Sequence, residues 1–179
     1  TQYDGALIVM VNNMSASASE IIAAALQDYG RAIIVGTKST YGKGTVQRFF
    51  DLDMGLRGYE EFKPLGEVKI TTQKFYRING GSTQLKGVTP DIILPDQYHY
   101  LEIGEREEDY AMEWTEIAPV GYEPQKSRLP SLDLLRKKSE DRVKSDPSFQ
   151  MVLKNALRIK KQRDQSIMPL SLNAYKQLL

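Results

Sequence analysis

The 179-residue chain has no cysteine and only one histidine, His99. The absence of cysteine excludes disulfides and thiolate metal sites. It leaves the cellular compartment open, because an exported protein can do without disulfides. Since the single histidine lies in a polar segment far from the first strands, few residues are available to activate a nucleophile. If this protein performs covalent chemistry, a serine and a lysine must do it.

Long apolar runs and an excess of one charge are also lacking. No run approaches the ~20 residues needed to span a bilayer, so we expect no membrane span. The 24 basic and 23 acidic residues nearly balance, so net charge indicates no particular partner. Nothing at the N-terminus is typical of a signal peptide. The chain opens with Thr1 and runs at once into a core-like strand, which we interpret as a fragment of a longer protein.

The first 36 residues have the pattern of a strand, a helix and a second strand. Residues 6–11 form a continuous apolar run, which predicts a strand covered on both faces. Helical spacing of apolar residues predicts a helix over residues 17–29, with Gly30 at its C-terminal cap. Residues 32–35 predict a second buried strand. This order is typical of a parallel crossover unit.

Hairpin-like segments follow. Residues 45–52 are rich in β-formers, and apolar residues at period two from Val68 to Ile78 predict another strand before a turn at residues 79–81. Phe75 and Tyr76 would then lie on opposite faces of one strand. Residues 92–94 predict a short strand ended by Pro95. The pattern up to this point predicts an α/β fold.

The charge pattern changes near residue 96. Residues 96–116 contain eight acidic residues and one basic residue, whereas residues 125–163 contain twelve basic and four acidic residues. We therefore predict a core at residues 1–96, followed at residues 97–179 by an acidic linker and a basic helical extension. The opposite charges suggest the hypothesis that the acidic segment docks on the basic helices.

Two helices are predicted in the extension. Asp146-Pro147 is a good helix start, because aspartate caps the N-terminus and proline suits the first helical position. The apolar stripe that follows consists of Phe149, Val152, Leu153, Ala156 and Leu157. Such a stripe is typical of one packed helix face. Leu132, Leu135 and Val143 indicate an earlier helix.

The residues that could perform chemistry lie in the first half. Ser17 stands at the predicted helix start, and Lys43 lies between two glycines. A serine hydroxyl needs a base, and lysine can be that base if its pKa falls by roughly 3 units from ~10.4. Gln47 could orient the amine without adding charge, provided that the chain bends, because residues four apart in a straight strand are ~13 Å apart. The backbone N–H of Ala18 is a candidate oxyanion donor.

Each of these motifs also fits an ordinary structural role. Ser17 and Glu20 match a capping box at a helix start. A Gly-Lys-Gly loop is commonly a turn with a solvated lysine. Because short motifs often match by accident, spacing alone leaves the catalytic and structural interpretations open.

Three segments carry a family resemblance: residues 15–32, 42–47 and 73–91. They closely resemble the C-terminal processing peptidases, most of all the bacterial tail-specific proteases. Residues 102–105, Trp114, the helix start at residues 146–147 and residues 171–173 resemble the C-terminal extension of that branch. The resemblance therefore covers nearly the whole chain.

The resemblance implies a serine endopeptidase. By matching position, it makes Ser17 the nucleophile, Lys43 the general base, Gln47 the orienting residue and Ala18 the source of one oxyanion-hole N–H. It implies a core similar to the crotonase and Clp-protease spiral fold, with no cofactor. The implied partners are polypeptide substrates with apolar C-termini, and an adaptor protein is a further candidate. The implied location is the bacterial periplasm.

The sequence departs from the family in two ways. The loop at residues 36–42 is one residue longer than usual, which separates Ser17 from Lys43 by 26 positions and adds Lys38 as a rival lysine. We favour Lys43 because Lys38 lacks flanking glycines and a glutamine four residues later. The N-terminal half of the family's proteins, which includes a PDZ domain and the second oxyanion donor, is also missing from this sequence. We therefore expect the fragment itself to be inactive.

Other functions remain as alternatives. A non-catalytic module could bind an adaptor or a second protomer through the helical extension. A crotonase-like acyl-coenzyme A enzyme is disfavoured, because no acyl-coenzyme A site is visible. His99 has the pattern of an ordinary polar-surface residue, and the acidic run at residues 107–109 lacks the alternation of a calcium loop. The basic helices lack aromatic stacking residues, so we predict solvated faces and no nucleic-acid partner.

Overall fold

The computed structural model describes residues 3–55, 58–124 and 131–178. The strands and helices, in chain order, are β1 (Ile8–Val11), α1 (Ala18–Asp28), β2 (Ile33–Gly36), β3 (Thr45–Asp51), β4 (Glu67–Lys74), β5 (Ile92–Ile93), α2 (Leu132–Ser145), α3 (Pro147–Asp164) and α4 (Leu172–Leu178). Short 3₁₀ turns lie at Leu52–Gly55, Glu60–Phe62 and Glu105–Glu107. An α/β core followed by a helical C-terminus confirms the predicted fold class.

The first sheet is parallel, with strand order β1-β2-β5. β1 pairs with β2 from Ile8 opposite Ile33 to Val11 opposite Gly36, which makes the predicted strand–helix–strand unit. A Cβ atom at Gly36 would lie 2.1 Å from the carbonyl oxygen of Val11, so only glycine permits this close approach of the two strands.

A small apolar core lies between this sheet and α1. Its buried members are Val11, Ala23, Ala24, Ala32, Ile34 and Val88. The other face of β1 is open, because Ile8 is 61% and Met10 is 77% exposed. The prediction of a strand covered on both faces is therefore wrong for β1. Val9 and Val11 face the core beside α1, whereas Ile8 and Met10 alternate to the opposite face of the strand.

The second sheet is the antiparallel hairpin of β3 and β4. The strand predicted as far as Ile78 ends at Lys74, and Phe75 makes the last hydrogen bond in register with β3, because the chain pairs with other residues from Tyr76 onward. The N–H of Phe75 donates to the carbonyl of Gly44, and Tyr76 pairs with Ser82 in an isolated bridge. The predicted turn at residues 79–81 is present, but it closes this bridge instead of a long hairpin.

Residues 102–122 follow β5 and precede the C-terminal helices in the chain. This segment, named the strap here, runs across the core. Glu105 N–H donates to the carbonyl of Tyr41, and Ile117 N–H donates to the carbonyl of Gly80. A β-bridge joins Glu116 to Gly81. The strap is therefore fastened to the core by backbone hydrogen bonds along its length.

The acidic segment makes its described ion pairs with the core and with itself. Glu102 accepts from Lys38 at 2.9 Å and pairs with Arg106 at 3.3 Å. The hydrogen bond from Lys38 lowers the pKa of Glu102, with smaller contributions from Arg106 and from Arg163 of α3. Among the described residues, no ion pair joins the acidic segment to the basic helices, so the contacts do not support the hypothesis that the two dock on each other.

The two predicted C-terminal helices form as α2 and α3, whereas α4 was not predicted. Asp146 caps α3, since its Oδ1 accepts from the N–H of Ser148 at 2.7 Å. Ala156 of the apolar stripe is fully buried. Arg136 of α2 donates to the carbonyl of Asp91 at 2.8 Å, which fixes α2 beside the start of β5. Among the described residues, no helix is long and apolar enough to cross a membrane.

A mostly buried ion pair joins α1 to the segment after β4. Both Nε and Nη2 of Arg77 donate to the carboxylate of Asp28, and Nη2 also donates to Gln27. Gln27 in turn donates to Asp91, whose other carboxylate oxygen accepts from the N–H of Ile34. This network connects the end of α1 with β2 and β5.

Arg77→Ala should destabilise the chain by about 3–5 kcal/mol, because it leaves the carboxylate of Asp28 buried without its cation. Chemical denaturation measures this loss. The matched control is Lys38→Ala, which removes an exposed ion pair and should cost about 1 kcal/mol or less. Equal losses in the two variants would contradict a structural role for the Arg77–Asp28 pair.

Candidate active site

The site is assembled around the carboxylate of Glu20, which is 0% exposed. One oxygen accepts from the hydroxyl of Thr40 and from Gly42 N–H at 2.7 Å. The other oxygen accepts from Ser17 N–H at 2.8 Å and Lys43 N–H at 2.9 Å. A single carboxylate thus binds the backbone of the helix start and of the lysine loop, 26 positions apart in the chain.

Ser17 has an unusual backbone at the start of α1. Its φ is 56° and its ψ is −114°, a combination that a non-glycine residue adopts only when its surroundings enforce it. The hydrogen bond from its N–H to Glu20 supplies that constraint and forms one half of the predicted capping box. No described hydrogen bond engages the N–H of Ala18, which is the first residue of the helix.

The side chains of Lys43 and Gln47 are in contact. Lys43 Nζ donates to Gln47 Oε1 at 3.0 Å. Gly42 has a φ of +93°, which turns the chain before the lysine. A bulge between Val46 and Gln47 then supplies the required bend in β3. Lys38, the rival lysine, instead binds Glu102.

Ser17 and Lys43 lie on adjoining segments, but their side chains do not bond to each other. In the described part of the chain, no hydrogen bond joins Ser17 Oγ to Lys43 Nζ. Both residues are half-buried, and Gln47 is exposed. Catalytic hydrogen bonds are often long in unliganded enzymes and shorten with substrate, so this geometry is compatible with a resting site.

A cavity of about 650 Å³ opens beside Lys43. The core contributes Ala16, Tyr41, Lys43, Gln47 and Lys69, and the strap contributes Glu105, Glu108, Asp109, Tyr110 and Ala111. The strap therefore forms one wall of the space next to the lysine. Residues beyond the predicted core boundary at residue 96 line the candidate site.

Tyr41 connects the two walls of this cavity. Its hydroxyl donates to Glu108 Oε1 at 2.9 Å. This hydrogen bond raises the pKa of Tyr41 above 10.0, and burial and the charges of Glu108 and Glu105 raise it further. The neutral phenol is therefore the form that holds the strap.

His99 lies away from this cavity, in the segment after β5. Its ring packs edge-on against Tyr100, and its Nδ1 is buried without a described hydrogen-bond partner. Within the described ranges, no group of three or more His, Cys, Asp or Glu side chains could hold a metal ion.

Sequence reasoning missed two residues that shape the site. It treated Glu20 as a helix cap, although the spacing Ser-x-x-Glu was the one signal that placed this carboxylate beside Ser17. It gave no role to Gln84, a fully buried side chain that accepts from Gly44 N–H at 2.8 Å. No local pattern indicates that contact, because the two residues lie 40 positions apart.

Glu20→Gln should destabilise the chain by about 2–4 kcal/mol, because an amide NH₂ replaces one oxygen and leaves two N–H or O–H donors without an acceptor. Chemical denaturation gives the loss, and amide exchange at Gly42 and Lys43 should become faster. Glu107→Gln, on the exposed part of the strap, is the control and should change stability by less than about 0.5 kcal/mol. Unchanged exchange at both amides would show that Glu20 does not hold the loop.

Tyr41→Phe should remove about 1 kcal/mol of stability near neutral pH, where the phenol donates to Glu108. Because the folded pKa lies above the ordinary value of 10.0, this contribution is complete below pH ~10 and disappears as pH rises through the folded pKa. Denaturation of both proteins between pH 7 and 11 measures the difference. A difference that grows with pH would contradict this assignment.

Two protein-family sequence models match this chain. The sequence model of Peptidase family S41 matches residues 1–94, and that of the C-terminal domain of tail specific protease (DUF3340) matches residues 98–178. The chain is 44% identical over 172 residues to the tail-specific protease of Haemophilus influenzae, covering 90% of this chain and 23% of that protein. It is 43% identical over 110 residues to a carboxy-terminal-processing protease of Bartonella bacilliformis, covering 56% and 22%.

Among solved structures, a photosystem II D1 C-terminal processing protease matches with 36% identity and a TM-score of 0.41, covering 50% of this chain and 20% of that one. The chain thus spans about a quarter or less of the length of these relatives. The match at residues 1–94 includes more than half of the chain, and it shows that the chain belongs to peptidase family S41.

Proposed function

We propose that this chain carries the nucleophile and base of a serine endopeptidase of the tail-specific type. The observation that supports this best is the shared carboxylate of Glu20, which holds the backbones of Ser17 and Lys43 together while Lys43 Nζ donates to Gln47. Family membership adds the reaction class, which is hydrolysis of a peptide bond.

In this mechanism, neutral Lys43 takes the proton of Ser17 Oγ as that oxygen attacks the scissile carbonyl carbon. Ala18 N–H donates to the oxyanion of the tetrahedral intermediate. Lys43 then gives the proton to the leaving amine, and an acyl-enzyme remains on Ser17. Water deprotonated by Lys43 hydrolyses that ester, which restores the serine and the free base.

Gln47 gives Lys43 a neutral partner. A carboxylate at that position would stabilise the ammonium form and raise the pKa of the lysine. An amide oxygen instead orients the amine with a smaller electrostatic effect. In the described structure, the amine of Lys43 is hydrogen-bonded to Gln47 and not to Ser17 Oγ. Before reaction, the amine must therefore turn from Gln47 towards Ser17 Oγ.

The proposal also covers the whole protein. Its substrates are polypeptides recognised by their apolar C-termini, an adaptor protein is a possible partner, and its location is the periplasm. These features follow from the resemblance to bacterial tail-specific proteases, and the H. influenzae relative supports the assignment to that branch. Because the chain spans 23% of that relative, we expect the 179-residue chain to show no peptide cleavage by itself.

A serine-reactive phosphonate should label Ser17 in the full-length protein, and Ser17→Ala should abolish the label. Lys43→Ala should slow labelling by at least about 100-fold, because general-base catalysis contributes roughly 10²–10⁴-fold. Mass spectrometry of the modified peptide measures both effects. The matched control is Lys38→Ala, which removes a neighbouring lysine outside the cavity and should label at the parent rate.

Two results would contradict the proposal. The first is failure of the full-length protein to label at any pH up to ~10, the range over which lysine becomes neutral. That result would favour a non-catalytic module that binds an adaptor or second protomer. Loss of labelling in Lys38→Ala but not in Lys43→Ala would assign the base to the other lysine. Measurable cleavage by the 179-residue chain alone would overturn the expectation that it is inactive.

A further inference from the structure

Gln84 lies in the interior between the lysine loop and the strap. Its side chain is 0% exposed. Oε1 accepts from Gly44 N–H at 2.8 Å, directly after Lys43. Nε2 donates in the opposite direction, to Glu105 Oε1 at 3.2 Å and to the carbonyl of Met112 at 3.0 Å. One amide thus uses its acceptor on the core and both donors on the strap.

The backbone around Gln84 leaves little room for adjustment. A Cβ atom at Gly44 would lie 2.5 Å from Gln84 N, so the two segments touch at a position that only glycine permits. The N–H of Leu85 also donates to the carbonyl of Gly42 at 2.8 Å. Lys43 therefore lies between two glycines that are both held against residues 84 and 85.

The strap reaches Gln84 in a defined position. Gly104 has a φ of +143°, and a Cβ atom there would lie 2.3 Å from the carbonyl oxygen of Tyr41. This close approach places Glu105 where its carboxylate accepts from Gln84. The strap from Glu105 to Ala111 then lines the cavity beside Lys43.

We infer that Gln84 is a positioning residue, which couples the seating of the strap to the backbone that carries Lys43. A buried amide with all three contacts satisfied has one low-energy orientation, because a shift of either neighbour leaves a buried donor or acceptor unpaired. A strap that is not seated would therefore release Gly44 and misplace the lysine. The inference gives the strap a role in the reaction, and its kinetic consequence rests on the function proposed above.

A double-mutant cycle in the full-length protein tests this coupling. Gln84→Met keeps the approximate volume but removes the amide, and Gly104→Ala unseats the strap without touching Gln84. Each should slow phosphonate labelling of Ser17 about tenfold or more, because small misplacements of catalytic groups are costly. The double variant should label about as slowly as the slower single variant, since both changes break the same connection.

The matched control is Thr83→Val. Thr83 is 1% exposed, is the neighbour of Gln84, and its Oγ1 has no described hydrogen-bond partner. This buried, nearly isosteric change should leave labelling and its pH profile unchanged. If the rate losses of Gln84→Met and Gly104→Ala multiply in the double variant, the strap acts on Lys43 by another route and the inference is wrong.

Amide exchange in the 179-residue chain provides a second readout that needs no activity. Gly104→Ala and Gln84→Met should each accelerate exchange at Gly44, whereas Thr83→Val should not. Unchanged exchange at Gly44 in Gly104→Ala would overturn the coupling, even if the parent full-length protein reacts with the phosphonate as expected. Failure of the parent protein to label would instead count against the proposed peptidase, so the two failures are distinguishable.

Discussion

The buried carboxylate of Glu20 is the interaction on which the rest of the site depends. A carboxylate with four donors is a strong and directional acceptor in an interior that excludes water. Its donors come from the helix start at Ser17 and from the loop at residues 40–43. Since the same loop continues into β3, this one group determines how the parallel sheet and the hairpin meet.

A second layer of contacts extends from this centre to the strap. Thr40 links Glu20 to the N–H of Val88, and Gln84 links Gly44 to Glu105. Both links are buried and polar, so each has few alternative arrangements. The core and the segment that follows it thus share one network, although the family comparisons divide them near residue 96.

Much of the architecture could be predicted from local patterns. The apolar runs around α1 and the Asp146-Pro147 start of α3 depend on neighbours in the sequence, and both elements form as expected. The strand predicted as far as Ile78 was too long, because Tyr76 pairs with Ser82 and the chain no longer follows β3. Period-two spacing indicates which side chains alternate between the two faces of a strand. It does not indicate which segment the strand pairs with or where that pairing ends.

The sequence by itself determined the inventory of the candidate site: a serine at a helix start, a lysine between glycines and a glutamine four residues later. These follow from short-range spacing and residue chemistry. Only the tertiary structure decided that Glu20 serves Ser17 and Lys43 together, that Lys38 turns to Glu102, and that Gln84 joins the lysine loop to the strap. The physical reason is that a buried polar atom bonds whichever partner the fold brings within about 3 Å, and that partner can lie far along the chain.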